Sequence, residues 1–373
     1  MKSLRESLLD DDLVNKTDEI IKDNIKQFLK NTYIGHAHCE ISKYPNKDDK
    51  YEVSTTKYIE VKNPNITSLT DGSFVWNEVK ESFSCSDCTS LKSLEGAPKK
   101  VGGDFYCSRC PSLTSLKGAP EKVEGDFICY YCSSLKSLEG VPKEVNGDFN
   151  CIDCRSLKTL KGAPEKVGRK FDCSGCDSLI SLEGAPKKVS GDFNCTDCDS
   201  LISLKGASKN VGGDFDCSEC TSLKSLEGAP EKVGRTFNCS ECTSLKSLEG
   251  APKEVGWHFK CSECTSLKSL EGTPENVEGC FYCDGCNSLK SLEGAPKKVR
   301  GDFYCINCRS LKTLDGSSQT VNRSFYCNNC SSLTSLNGAP KKVDGDFNCY
   351  GCAGKFTIED VKKISDVKKD IIC

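Results

Sequence analysis

The sequence predicts a β-solenoid, a rod of thirteen short coils of 22 residues stacked one on the next. Three observations predict it. A Cys-x-x-Cys pair recurs every 22 residues from Cys85 to Cys352. A Phe stands two residues before each pair, from Phe83 to Phe347, and two Leu follow it at fixed offsets, as Leu113 and Leu116 follow Cys110. A Gly-Ala-Pro turn and then a Val complete most coils, as in Gly96-Ala97-Pro98 and Val101. Self-similarity at one short period marks an array in which no unit can bury its apolar face alone, so the units share a core by stacking.

Within a coil, Phe105 and Cys107 alternate as on one face of a strand, and both should point inward with Leu113, Leu116 and Val123. Gly96-Ala97-Pro98 sends the chain across the back of the coil, and Gly103-Asp104 turns it into the next strand. Thirteen coils at a strand spacing of ~4.8 Å make a rod or arc on the order of 60 Å long.

A solenoid needs its two open ends covered. Residues 1–65 are expected to form an α+β cap. Leu13, Ile20, Ile21, Ile25, Phe28 and Leu29 have helical spacing over 13–31. Residues 33–43 and 51–62 read as two strands joined by a polar turn around Asn46-Lys-Asp-Asp. Residues 66–352 are the solenoid proper, and 66–82 form a degenerate first coil with Ile66, Leu69, Gly72 and Val79. Residues 353–373 are the second cap, with an amphipathic helix expected from Thr357 to Ile371.

The totals narrow the function. The chain has 373 residues, 28% of them charged, yet its formal net charge is only −3, which gives no electrostatic case for nucleic acid or an anionic membrane. No stretch approaches the ~18 apolar residues of a membrane helix. The start, Met1-Lys-Ser-Leu-Arg-Glu-Ser-Leu-Leu-Asp-Asp-Asp, is acid-rich and has no apolar core, unlike a secretory signal. A reducing cytoplasm is therefore expected. No nucleophile–base–orienter set, phosphate loop or carboxylate pair is evident, so no enzyme is expected.

The string Cys132-Ser-Ser-Leu-Lys-Ser-Leu resembles the Cys-x-x-Leu-x-x-Leu unit of BspA-type leucine-rich repeats, whose 20–29-residue period includes 22. Over nearly its full length the chain is similar to repeat proteins encoded by tailed phages of gut bacteria and by the bacteria themselves. Met1-Lys-Ser-Leu-Arg-Glu-Ser-Leu-Leu-Asp-Asp-Asp-Leu-Val, the Gly-Ala-Pro-Lys-Lys-Val-x-Gly-Asp-Phe coils and Phe356-Thr-Ile-Glu-Asp-Val-Lys-Lys carry that likeness. It implies a leucine-rich-repeat fold, and little about function, because such repeats host many roles. Many coils of that family have Asn-Asn where this chain has x-Cys.

That departure makes the cysteines the candidate site. The chain has 29, and 26 of them form the ladder. The pairs are Cys85 and Cys88, Cys107 and Cys110, Cys129 and Cys132, Cys151 and Cys154, Cys173 and Cys176, Cys195 and Cys198, Cys217 and Cys220, Cys239 and Cys242, Cys261 and Cys264, Cys283 and Cys286, Cys305 and Cys308, Cys327 and Cys330, and Cys349 and Cys352. As packing groups, they would fill inward positions as small apolar residues. As metal ligands, adjacent pairs such as Cys85-x2-Cys88 and Cys107-x2-Cys110 fit a four-cysteine template. Four thiolates from two coils would then hold one Zn²⁺ or one 4Fe–4S cluster. Thirteen coils allow at most six such sites, a linear array suited to electron transfer or metal storage. The ladder lacks a single replacement, whereas Ala97 corresponds to Val141, Thr273 and Ser317 in other coils. That contrast favours ligands, with a protein-interaction scaffold and core cysteines as the alternative. Disulfides within each pair are disfavoured by a reducing compartment.

Three smaller features remain. His36, His38 and Cys39 fall on a predicted strand with both His on one face, which is more simply coincidence than a metal site. Trp257 and His258 replace the usual Gly-Asp and read as a local surface change. Cys280 replaces an Asp and reads as a stray surface thiol.

Overall fold

A computed structural model describes residues 4–43 and 50–373. The turn expected around Asn46 to Asp49 lies outside these residues. The chain is a β-solenoid with a helix near each end. Its long ladder is a 16-stranded sheet. The first strand, Tyr33–Ile34, pairs antiparallel with Ile59–Val61, and every later pairing in that sheet is parallel. Fifteen parallel turns result, two more than the thirteen cysteine coils.

The period dictates the register. Phe105 pairs with Phe83 and Phe127, and the in-register Phe column continues to Phe347. Its rings stack at centroid distances from 5.0 to 5.8 Å. The Phe column and both Leu columns are buried along the rod, as the sequence requires. A second column runs through the Val positions on the other side of each coil. That sheet is interrupted once: it ends at Glu254–Val255 and resumes at Asn276–Val277. The interruption falls where Trp257 and His258 replace Gly-Asp, while the Phe-side ladder passes through it unbroken.

The ends differ from expectation in detail. Helix α1 spans Leu4–Thr32, longer than the 13–31 read from periodicity. Its Ile25 and Leu29 are buried against the first turns. Tyr33 and Trp76 close the Phe column, with centroids 6.1 and 6.0 Å from Phe83. Ile59–Val61 pairs in parallel with Phe83–Ser84, so the ladder begins before the expected boundary at 65/66. The predicted strand 33–43 is broken by a 3-10 turn at His36–His38. Consequently the two His do not share a strand face. At the other end, helix α2 covers only Ile358–Lys362, opened by a capping box between Thr357 and Asp360. The helix expected through Ile371 stops there because the chain resumes coiling. Asp366–Val367 joins the Val column, and Ile371–Ile372 pairs with Phe347–Asn348. Five helical residues are accommodated by lengthening this turn to 24 residues, the offset from Phe347 to Ile371.

Candidate functional site

Both cysteines of a pair face inward because the residue before the second one is left-handed. Asp87, Arg109, Tyr131, Asp153, Glu219, Glu241 and Glu263 hold φ between 52° and 61°. The equivalent residues 175, 285 and 351 are Gly. In a regular strand, positions three apart face opposite sides. The left-handed residue folds the chain back, so the second thiol returns to the core. All 26 ladder cysteines are buried, none more than 8% exposed.

The second cysteines form a regular column of hydrogen bonds between coils. Cys110 Sγ donates to the carbonyl of Cys85 at 3.3 Å, and Cys132 Sγ to that of Cys107 at 3.1 Å. The same bond recurs at every coil through Cys352, whose Sγ donates to the Cys327 carbonyl at 3.1 Å. Cys88, at the start, instead meets the Ser86 carbonyl. Many first cysteines also donate onward, as Cys217 does to the Asn238 carbonyl at 3.3 Å and Cys261 to the Tyr282 carbonyl at 3.2 Å. A buried carbonyl left without a donor costs about 1–3 kcal/mol. Each second cysteine from Cys110 onward therefore fills space and satisfies a neighbour's backbone.

Electrostatics divide the ladder: hydrogen bonds from the neighbouring thiols of Cys132 and Cys88 pull Cys110 down to about 4, and those of Cys327 and Cys330 do the same to Cys352, whereas most other ladder thiols are raised. Burial pushes the thiols of Cys85, Cys173, Cys195, Cys217, Cys261, Cys283, Cys305 and Cys327 well above their ordinary range, and neighbouring cysteines add to the effect. A zinc or cluster site needs thiolates converging on one point. Among the described residues, no group of three or more His, Cys, Asp or Glu is arranged to hold a metal ion. The thiols stand in columns directed at carbonyls. This includes His36, His38 and Cys39, which do not form a metal-holding group.

Every second cysteine past the first coil thus supplies both core volume and an S–H to the preceding coil. No such bond recurs through the drifting Ala97 position, although Thr273 there donates its Oγ1 to the Gly294 carbonyl at 2.6 Å. A second stitching column was missed in the sequence. Asp104 Oδ1 accepts the backbone N–H of Asp126 at 2.8 Å, and Asp126 does the same for Asp148. The Asp that recurs before many of the Phe residues was the available signal, but it was read only as a turn. Lys170 at this position has no acceptor to offer, but at Ser82, His258, Cys280 and Ser324 the substitute serves the same bond. His258 Nδ1 accepts the Cys280 N–H at 2.9 Å, Cys280 Sγ accepts the Asp302 N–H at 3.3 Å, and Ser324 Oγ accepts the Asp346 N–H at 3.0 Å. Cys280, expected as a surface thiol, is buried in this column. Trp257 is 48% exposed, in keeping with a surface change; it stacks on His258 at 4.5 Å and under Arg235 at 5.9 Å.

A crystal structure of a leucine-rich repeat protein from Bacteroides ovatus aligns with 90% of this chain and 98% of that one, at 14% identity and a TM-score of 0.31. So low a score leaves the fold resting on the ladders themselves. No protein-family model and no curated protein matches the chain.

Proposed function

We propose that the chain is a non-enzymatic interaction scaffold that binds a protein partner on its strand face, with the cysteines as neutral core groups. One observation carries this reading: from Cys110 to Cys352, each second thiol donates to a carbonyl of the preceding coil. Thiols engaged in this way hold the rod together and leave its exposed surface to differ from coil to coil. That surface is differentiated. Asp197, Glu219, Glu241 and Glu263 line one stretch of the exposed corner beside the cysteine turns. Tyr282, Tyr304 and Tyr326 form a half-buried stack further along, with centroids 4.8 and 4.9 Å apart. Reduced thiols in such number also fit a reducing compartment such as the cytoplasm.

The linear array of Zn²⁺ or 4Fe–4S clusters makes the opposite demand on the same sulfurs. Anaerobic purification followed by elemental analysis and thiol titration in denaturant separates the two. The scaffold reading expects a colourless protein with no stoichiometric zinc or iron and about 29 titratable thiols. An array would give about four to six metal ions or clusters per chain, at four thiolates each, and would overturn it.

A further inference from the structure

Cys373 continues the first-cysteine column into the last turn. Ile371 pairs with Phe347 and Ile372 with Asn348, so Cys373 takes the place that Cys349 takes one turn earlier. The column changes character here. Upstream first cysteines that donate, such as Cys283 and Cys305, direct their thiols at backbone carbonyls. Cys349 directs its thiol at the Cys373 sulfur, 3.3 Å away. Cys349 is buried at 2% exposure, whereas Cys373 is exposed. Neighbouring strands lie ~4.8 Å apart, within the Cα separation that a disulfide spans, about 4.4–6.8 Å.

From this juxtaposition we infer that Cys373 is a thiol-exchange site for small-molecule disulfides and that Cys349 is its resolving thiol. In the first step Cys373, having given its proton to solvent, attacks one sulfur of the reagent. A Cys373–reagent disulfide forms, and the other half leaves as a thiol. In the second step the Cys349 sulfur, whose proton also passes to solvent, attacks Cys373 and expels the remaining half. The two protein thiols are oxidised by two electrons and the reagent disulfide is reduced to two thiols. The exchange ends there, because Cys349 is the thiol directed at Cys373, whereas Cys352 and Cys305 direct theirs at backbone carbonyls. The bond closes a ring containing α2 and ties the last turn to the rod.

The test uses the full reduced chain, oxidised glutathione as the reagent, alkylation of remaining thiols, and peptide mapping by mass spectrometry. The expected product is one disulfide per chain joining Cys349 to Cys373, with slower hydrogen exchange over residues 366–373. Cys349→Ser should retain glutathione on Cys373, and Cys373→Ser should form no bond at Cys349. Should Cys349→Ser not fold, the parent chain and the exposed-site variant Cys373→Ser decide between them. Glutathione persisting on Cys373 in the parent chain, an unmodified Cys373, or a bond between other ladder cysteines would each overturn the inference. Glutathione on the partly exposed Cys39 is mapped separately and bears on neither step.

Discussion

Two columns of side chains stitch each coil to the next, and they tolerate change very differently. The second cysteines bond the preceding coil's carbonyls in the fully buried core. The Asp column accepts the next coil's N–H groups at a half-buried edge. The cysteine position is never replaced, whereas the Asp position also holds Lys170, Thr236, His258, Cys280 and Ser324. Water explains the difference. An edge N–H that loses its acceptor is rehydrated at small cost, so the position accepts several other acceptors and even Lys170, which has none. A core carbonyl has no such recourse, so the buried donor beside the Leu columns is kept in every coil.

The largest test of this account removes bulk from the dry side. Phe215→Ala should cost about 3–5 kcal/mol. The damage should stay within the coils of Phe193 and Phe237, because solenoid stability is close to a nearest-neighbour sum. Hydrogen exchange rising equally along the whole rod would contradict that locality. A matched pair then measures the contrast itself. Cys220→Ala strands the Cys195 carbonyl in the core and should cost about 1–3 kcal/mol. Asp214→Ala frees the Thr236 N–H at the edge and should cost less, about 0.5–1.5 kcal/mol. Denaturant melts showing equal losses would remove burial as the explanation.

The smallest effect concerns an acid outside the Asp column. Asp284 accepts the Ile306 N–H at 2.9 Å, and burial raises its carboxyl above the ordinary range. A carboxyl raised on folding binds its proton more tightly in the folded state. It favours folding below the ordinary carboxylate range, and that contribution is lost as pH rises through the raised value. Protection of residues 283–306 in hydrogen exchange should therefore weaken from acid toward neutral pH. Asp284→Asn should flatten that local slope; an unchanged slope would assign it to other groups.

The middle of the rod was legible in the sequence because one coil specifies the next: the period sets the register, and the register sets the Phe, Leu and Val columns. The ends were less so. Ile59 and Ile371 stand in place of Phe, and α2 lengthens the last turn, so pattern matching stops one turn short at each end. Cys373 was a visible cysteine whose alignment with Cys349 depends on that 24-residue offset. The chemistry of the ladder was hidden for a related reason. Spacing shows that two cysteine pairs come close. Whether their sulfurs meet at a point or turn toward carbonyls depends on the left-handed residue between them, which is Asp, Arg, Tyr, Glu, Asn or Gly and so carries no consistent signature.

Strict repetition also shapes how such a chain folds. The repeat-to-repeat pairings of the Phe column join residues 22 apart, so each turn closes a short loop and the array zips up from wherever it starts. The same equivalence creates a competitor: a strand that pairs with the next coil but one meets nearly the same side chains, and one coil is extruded as a loop. The bonds at His258, Cys280 and Asp302 are the exception. Imidazole, thiol and carboxylate follow one another there in an order found nowhere else in the Asp column. They give the rod a landmark along its length, a place where a slipped register changes the bonding partners.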